Sequence, residues 1–142
     1  MTEILLVEDD PEDREMILDV LAGICARDDV EIARDGAEAV ERLRPEKSRA
    51  AAVPRDLPKL VLLDLKLPKR SGLEVLQALR SQPRWRSVPV VFLTSSKETP
   101  DVHAAYRLGA NSYLVKPVGV ADFQAVVRQL GVYWLNHNEV PT

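Results

Sequence analysis

Apolar residues in this chain fall in short runs, each followed by a segment in which they recur at helical spacing. The runs are Ile4–Val7, Val30–Ala33, Leu60–Leu63, residues 88–93 and Ser112–Val115. Most are nearly free of polar residues, as expected of strands buried on both faces. After the first run, Asp10 is a candidate N-cap and Pro11 a first helical residue, and Met16, Ile17, Val20, Leu21 and Ile24 supply a helical stripe. Asp35-Gly36 reads as a turn, and Ala37, Val40 and Leu43 as a short second helix. Leu73, Leu76 and Leu79 line a third helix. A fourth begins with Thr99 as N-cap and Pro100 next, and stops at Gly109. Phe123, Val126, Val127, Leu130 and Trp134 line a fifth. Residues 44–58 hold three prolines and read as a loop, part of which could extend the second helix.

Strands alternating with helices imply an α/β protein with a parallel sheet covered on both faces. At 142 residues the chain suits one such domain, with a tail after about residue 135 and no output domain. The expectation is a doubly wound five-stranded sheet in the order 2-1-3-4-5. In open sheets of this kind ligands bind beyond the carboxyl ends of the strands, at the point where the strand order reverses.

The residues at those strand ends carry the chemistry. The first strand ends in Glu8, Asp9 and Asp10, the third in Asp64, the fourth in Thr94 and the fifth in Lys116. The expected order makes the first and third strands neighbours, so Glu8, Asp9 and Asp64 crowd together. Carboxylates at contact distance repel and need a compensating charge. Mg²⁺ (or Mn²⁺) supplies it, preferring carboxylate, water and phosphate oxygens. Lys116 adds a second cation, and the Thr94 hydroxyl can bond a phosphoryl oxygen. The set fits an aspartate nucleophile, Asp64, attacking a phosphoryl donor while metal and lysine neutralise the developing charge.

Composition narrows the alternatives. A net charge of −3 lacks the basic footprint of a nucleic-acid binder. The one cysteine, Cys25, excludes an internal disulfide and reads as a buried or half-buried structural thiol. No apolar stretch approaches the roughly 20 residues of a membrane span, and the N-terminal run is too short for a signal peptide. A cytoplasmic protein is expected.

The pieces ILLVEDD, VLLDLKLPKRSG, VVFLTSS and GANSYLVKP together resemble the receiver domain of two-component response regulators, over about residues 3–135. The resemblance implies a flavodoxin-like receiver fold and a signalling protein that accepts a phosphoryl group from a histidine kinase. Such a protein catalyses only its own phosphorylation and dephosphorylation. Carried over by position, Glu8 and Asp9 match the acidic pair that holds the metal, and Asp64 the phosphoacceptor. The backbone carbonyl of Lys66 matches the position that completes the metal site. Thr94 and Tyr113 match the switch pair and Lys116 the site lysine. The resemblance also implies a cis Lys116–Pro117 bond, although the sequence alone leaves the isomer open. Lys66 is a cation where many receivers carry an uncharged residue, and Ser96 stands two beyond Thr94; both positions flank the phosphoryl group and bear on its lifetime. The loop before the third strand, DLKLPK and the tail VYWLNHNEVP resemble regulators paired with phytochrome-type histidine kinases.

Two other readings are a receiver-like binding module that is not phosphorylated, and a Mg²⁺-dependent aspartyl phosphohydrolase. The first usually lacks the acceptor or the lysine, and both are present. The second usually has an acid two residues after its nucleophile, where this chain has Lys66. No glycine-rich phosphate loop follows the first strand. His103 and His137 read as surface residues. Val132, Tyr133 and Leu135 fall off the stripe of the fifth helix, and with Val140 they predict an exposed apolar patch. That patch, and the tendency of phytochrome-partner regulators to dimerise, predict a homodimer.

Overall fold

The computed structural model describes residues 2–44 and 57–141. Most of the loop expected over residues 44–58 lies outside them. Five parallel strands, β1 (Ile4–Val7), β2 (Val30–Ala33), β3 (Leu60–Leu63), β4 (Val90–Thr94) and β5 (Ser112–Val115), form one sheet in the order β2-β1-β3-β4-β5. The helices are α1 (Pro11–Leu21), α2 (Gly36–Glu41), α3 (Gly72–Ser81), α4 (Thr99–Arg107) and α5 (Val120–Val132).

Strand alternation divides the core in two. Leu5, Val7, Val61, Leu63, Val90 and Phe92 face α2, α3 and α4, and Trp85 closes that layer at 1% exposure. Ile4, Leu6, Leu60, Leu62, Val91 and Leu93 face α1 and α5. β1 and β3 are buried along their whole length, so uninterrupted apolar runs are what the sheet requires. β5 is an edge strand and only half covered.

Helix ends follow local chemistry. Asp10 caps α1 by accepting from the N–H groups of Glu12 (2.9 Å) and Asp13 (3.3 Å), with Pro11 in the first turn. Ser71 and Glu74 form a reciprocal capping box at α3. Gly109, at φ +104°, terminates α4 in a backbone conformation that favours glycine.

The structure departs from the sequence reading at four places. β4 starts at Val90 because Pro89 has no N–H for the ladder. The N-cap of α4 is Glu98, one residue earlier than expected, and Thr99 is already helical. All described peptide bonds are trans, Lys116–Pro117 included. Trans is the lower-energy isomer of an X-Pro bond, and here it already delivers Lys116 to the acidic site. Finally, Leu135 is buried in the core at 7% exposure. The chain continues from α5 into a π-helical turn, Tyr133–His137, whose wider winding changes the phase of the stripe and turns Leu135 inward. Val126 and Trp134 pack partly buried against the same core. Tyr133 remains 50% exposed, edge-on to Trp134 at 5.0 Å, whereas Val132 and Val140 are half-buried. Cys25 is half-buried, and burial raises its thiol pKa, as expected of a structural thiol.

Candidate functional site

Glu8, Asp64 and Thr94 lie at the carboxyl ends of the central strands, where pairing of Val7 with Leu63 and of Leu63 with Phe92 aligns the strand tips. Asp9 is the second residue beyond β1. Glu8 (2% exposed), Asp64 (8%) and Thr94 (1%) are buried, whereas Asp9 is exposed. One carboxylate oxygen from each of Glu8, Asp9 and Asp64 lies within 4.8 Å of the others. Asp64 is held from within its own loop: its Oδ1 accepts the Leu65 N–H at 2.7 Å. Asp64 lines a cleft of about 490 Å³ together with Asp9, Lys66, Thr94 and Lys116.

Lys116 extends from the end of β5 across this cluster. Its Nζ lies 2.8 Å from Glu8 Oε1, 2.8 Å from Asp13 Oδ2 and 3.1 Å from Asp64 Oδ2. Burial on its own would lower the pKa of Lys116, but hydrogen bonds to Asp13 and Glu8 and the charge of Asp64 outweigh it and hold the ammonium above its usual range. Glu8 responds in the opposite sense. Burial first, and then the charge of Asp64, push its carboxyl up to about 8 against the pull of Lys116.

Sequence reasoning located Glu8, Asp9, Asp64, Thr94 and Lys116, and the fold brings them together. It missed Asp13. As one of two acids in the first turn of α1, Asp13 looked like ordinary helix-end chemistry. The Lys66 side chain is exposed at the cleft rim. His103 and His137 are both exposed, outside the acidic cluster.

Thr94 and Tyr113 are joined through Ser96. Thr94 Oγ1 accepts the Ser96 N–H at 3.4 Å, and the Tyr113 hydroxyl donates to the Ser96 carbonyl at 2.8 Å. The Tyr113 ring packs on Phe92 with centroids 5.8 Å apart. Ser96 Oγ donates to Asp101 Oδ2 at 2.5 Å and accepts the Glu98 N–H at 3.3 Å, so this hydroxyl ties down the start of α4. Asp101 is another residue that the sequence pattern did not single out.

This strand order, with acids beyond β1 and β3, a threonine ending β4 and a lysine beyond β5, meets a matching family at residues 4–128, the response regulator receiver domain. The chain belongs to that family. Among curated relatives, the receiver is 38% identical to the probable methanogenesis regulatory protein FilR2 of Methanothrix harundinacea, over 97% of this chain and 86% of that one. It is 37% identical to the response regulator Rcp1 of Synechocystis, over 97% and 92%. Among solved structures, the phosphorylated cyanobacterial phytochrome response regulator RcpA superposes with a TM-score of 0.88 at 34% identity, over 99% of each chain. The Mn²⁺-bound form of Rcp1 superposes with a TM-score of 0.86 at 35% identity, over 100% of each. The receiver is accordingly a response regulator of a two-component phosphorelay. Among the described residues, no helix is long and apolar enough to cross a membrane.

The donor set of this chain suits a hard divalent cation. Three carboxylate oxygens converge there, from Glu8, Asp9 and Asp64, and the cluster is open to water through Asp9.

Gly72 fixes the back of the site. A Cβ there would lie 2.2 Å from the Asp64 carbonyl oxygen and 2.9 Å from Leu65 Cα, both backbone atoms. The Gly72 N–H also donates to the Leu65 carbonyl at 2.7 Å. Gly72→Ala is expected to cost roughly 1–3 kcal/mol by overpacking and to displace the Asp64 loop. Thermal melts should show a Tm lower by several degrees, together with slower phosphorylation; a wild-type Tm would contradict this packing.

Proposed function

We propose that this receiver takes a phosphoryl group onto Asp64 from a phytochrome-type histidine kinase and thereby reshapes a protein-binding surface. The observation that carries the reading is the placement of Asp64: buried at the end of β3, 3.1 Å from Lys116, and within reach of two further carboxylates. An Asp64 carboxylate oxygen forms the new P–O bond as the P–N bond to the kinase histidine breaks, and the leaving imidazole recovers its lone pair. Glu8, Asp9 and Asp64, with the Lys66 carbonyl, are the groups that would hold Mg²⁺ or Mn²⁺. The cation supplies charge neutralisation to the transferring group. Lys116 would supply a second positive charge, and the Thr94 hydroxyl would donate to a phosphoryl oxygen.

The same geometry suggests the switch. If Thr94 turns toward the phosphoryl group, the Ser96 N–H loses its acceptor, and the Ser96 carbonyl that holds Tyr113 shifts with it. The face formed by α4 and β5 then changes. The protein is a cytoplasmic signalling protein in this account, catalysing only its own phosphorylation and dephosphorylation, with protein rather than nucleic-acid or membrane partners.

The kinase assignment rests on the likeness to RcpA and Rcp1. Phosphotransfer profiling tests it: a phosphorylated phytochrome-type kinase should load this receiver at least about tenfold faster than unrelated kinases, a difference of 1.4 kcal/mol in barrier. Equal or slower transfer from the phytochrome type would refute the pairing.

A homodimer forms part of the proposal. Although Leu135 is turned inward, Tyr106 on α4, Val115 on β5 and Tyr133 after α5 are large exposed apolar residues, and aromatics are favoured as interface anchors. Sedimentation should show a dimer that Tyr133→Asp weakens. A monomer at high micromolar concentration, phosphorylated or not, would exclude it.

A further inference from the structure

The Lys116 ammonium has three protons and three carboxylate neighbours: Glu8 and Asp13 at 2.8 Å and Asp64 at 3.1 Å. Two of these neighbours belong to the acidic cluster suited to a divalent cation, and Asp13 does not. When Glu8 and Asp64 turn to a cation or a phosphoryl group, Asp13 is the neighbour left to hold the lysine. Its own position is set by the cap of α1, since Asp10 accepts the Asp13 N–H at 3.3 Å. A first-turn acid is favoured at any helix N-terminus, but that preference does not account for this contact. Glu12, in the same turn, is exposed, whereas Asp13 is half-buried and reaches across 103 residues of sequence to a lysine only 7% exposed.

We propose that Asp13 is a positioning residue for phosphoryl transfer: its carboxylate anchors the Lys116 ammonium beside Asp64 while the other acids of the site engage the transferring group. The inference rests on Asp64 being the acceptor. Misplacing one catalytic charge by an ångström lowers a rate by one to two orders of magnitude. Loss of the anchor therefore lowers the maximal rate. Removing one negative charge from the cleft should, if anything, ease the approach of an anionic donor.

The test uses the full chain with Mg²⁺ and acetyl phosphate, in which Asp64 oxygen displaces acetate from phosphorus. Maximal rate and half-saturating donor concentration are measured for wild type, Asp13→Asn, Asp13→Ala and Asp13→Glu, beside NMR of the Lys116 ammonium. Asp13→Asn and Asp13→Ala should lower the maximal rate about tenfold without raising the half-saturating concentration, and should shift the Lys116 Nζ resonance. Asp13→Glu, which restores the charge, should recover most of the rate. The proposal is overturned if the Asn and Ala variants keep the wild-type maximal rate. It is also overturned if only the half-saturating concentration changes, if Glu is no better than Asn, or if the Lys116 resonance stays put. Failure of the wild type itself to gain a phosphoryl group would strike at the Asp64 reading, whereas a loaded wild type with unaffected variants strikes at Asp13 alone.

Discussion

Asp64→Asn should take up no phosphoryl group from either acetyl phosphate or a kinase, and should still fold. The carboxamide has nearly the shape of the carboxylate, and its oxygen can still accept the Leu65 N–H now bonded to Asp64 at 2.7 Å. What it lacks is a nucleophilic anion to form an acyl phosphate. Two changes in stability oppose each other. The contact with Lys116 at 3.1 Å loses its charge, but the charge of Asp64 is also a cause of the raised Glu8 carboxyl, so its removal relieves repulsion. The net change should stay within about 1 kcal/mol, well below the cost of a core deletion. A variant that incorporated phosphoryl groups as wild type does would place the acceptor elsewhere.

Removal of the divalent cation should lower the rate of phosphorylation by at least about 100-fold, or roughly 2.7 kcal/mol of barrier. Glu8, Asp9 and Asp64 converge within 4.8 Å, and an incoming phosphoryl donor adds further negative charge to them. The single Lys116 ammonium already contacts three carboxylates, those of Glu8, Asp13 and Asp64. In excess EDTA the rate should collapse, and added Mg²⁺ should restore it. Asp9→Asn should behave like EDTA at low Mg²⁺. Because it removes one of several repelling charges, the metal-free variant should melt no lower than wild type. Wild type should gain about 2.7 kcal/mol of stability at a Mg²⁺ concentration 100 times the dissociation constant, and Asp9→Asn much less. Phosphorylation at full rate in EDTA would remove the metal from the account.

The fold was legible because a doubly covered parallel sheet leaves a mark that water-facing sheets do not. Ile4–Val7 and Leu60–Leu63 had to be apolar throughout, and the abrupt acids after each marked the strand tips. The site was legible for the same reason, since Glu8, Asp9, Asp64, Thr94 and Lys116 all sit where a strand stops. The misreadings lie where local pattern and tertiary geometry part. Leu135 seemed off the helical stripe because a π-helical turn cannot be read from 3.6-residue periodicity. The beginning of β4 was misplaced because apolar Val88 and Pro89 extend the run, although Pro89 cannot donate to the ladder. Asp13 stayed hidden because its partner lies 103 residues away, and an acid in a first turn already has a sufficient local reason. The expected cis Lys116–Pro117 bond came from family likeness alone, and the lysine reaches the acids through a trans bond.

The destination of the phosphoryl group tests the role of Asp64 most directly. Wild-type protein treated with acetyl phosphate and Mg²⁺, then read by intact mass and by mapping of borohydride-trapped peptides, should gain one phosphoryl group, carried on the peptide that contains Asp64. No mass gain under these conditions, or a gain mapped to any other residue, would contradict it.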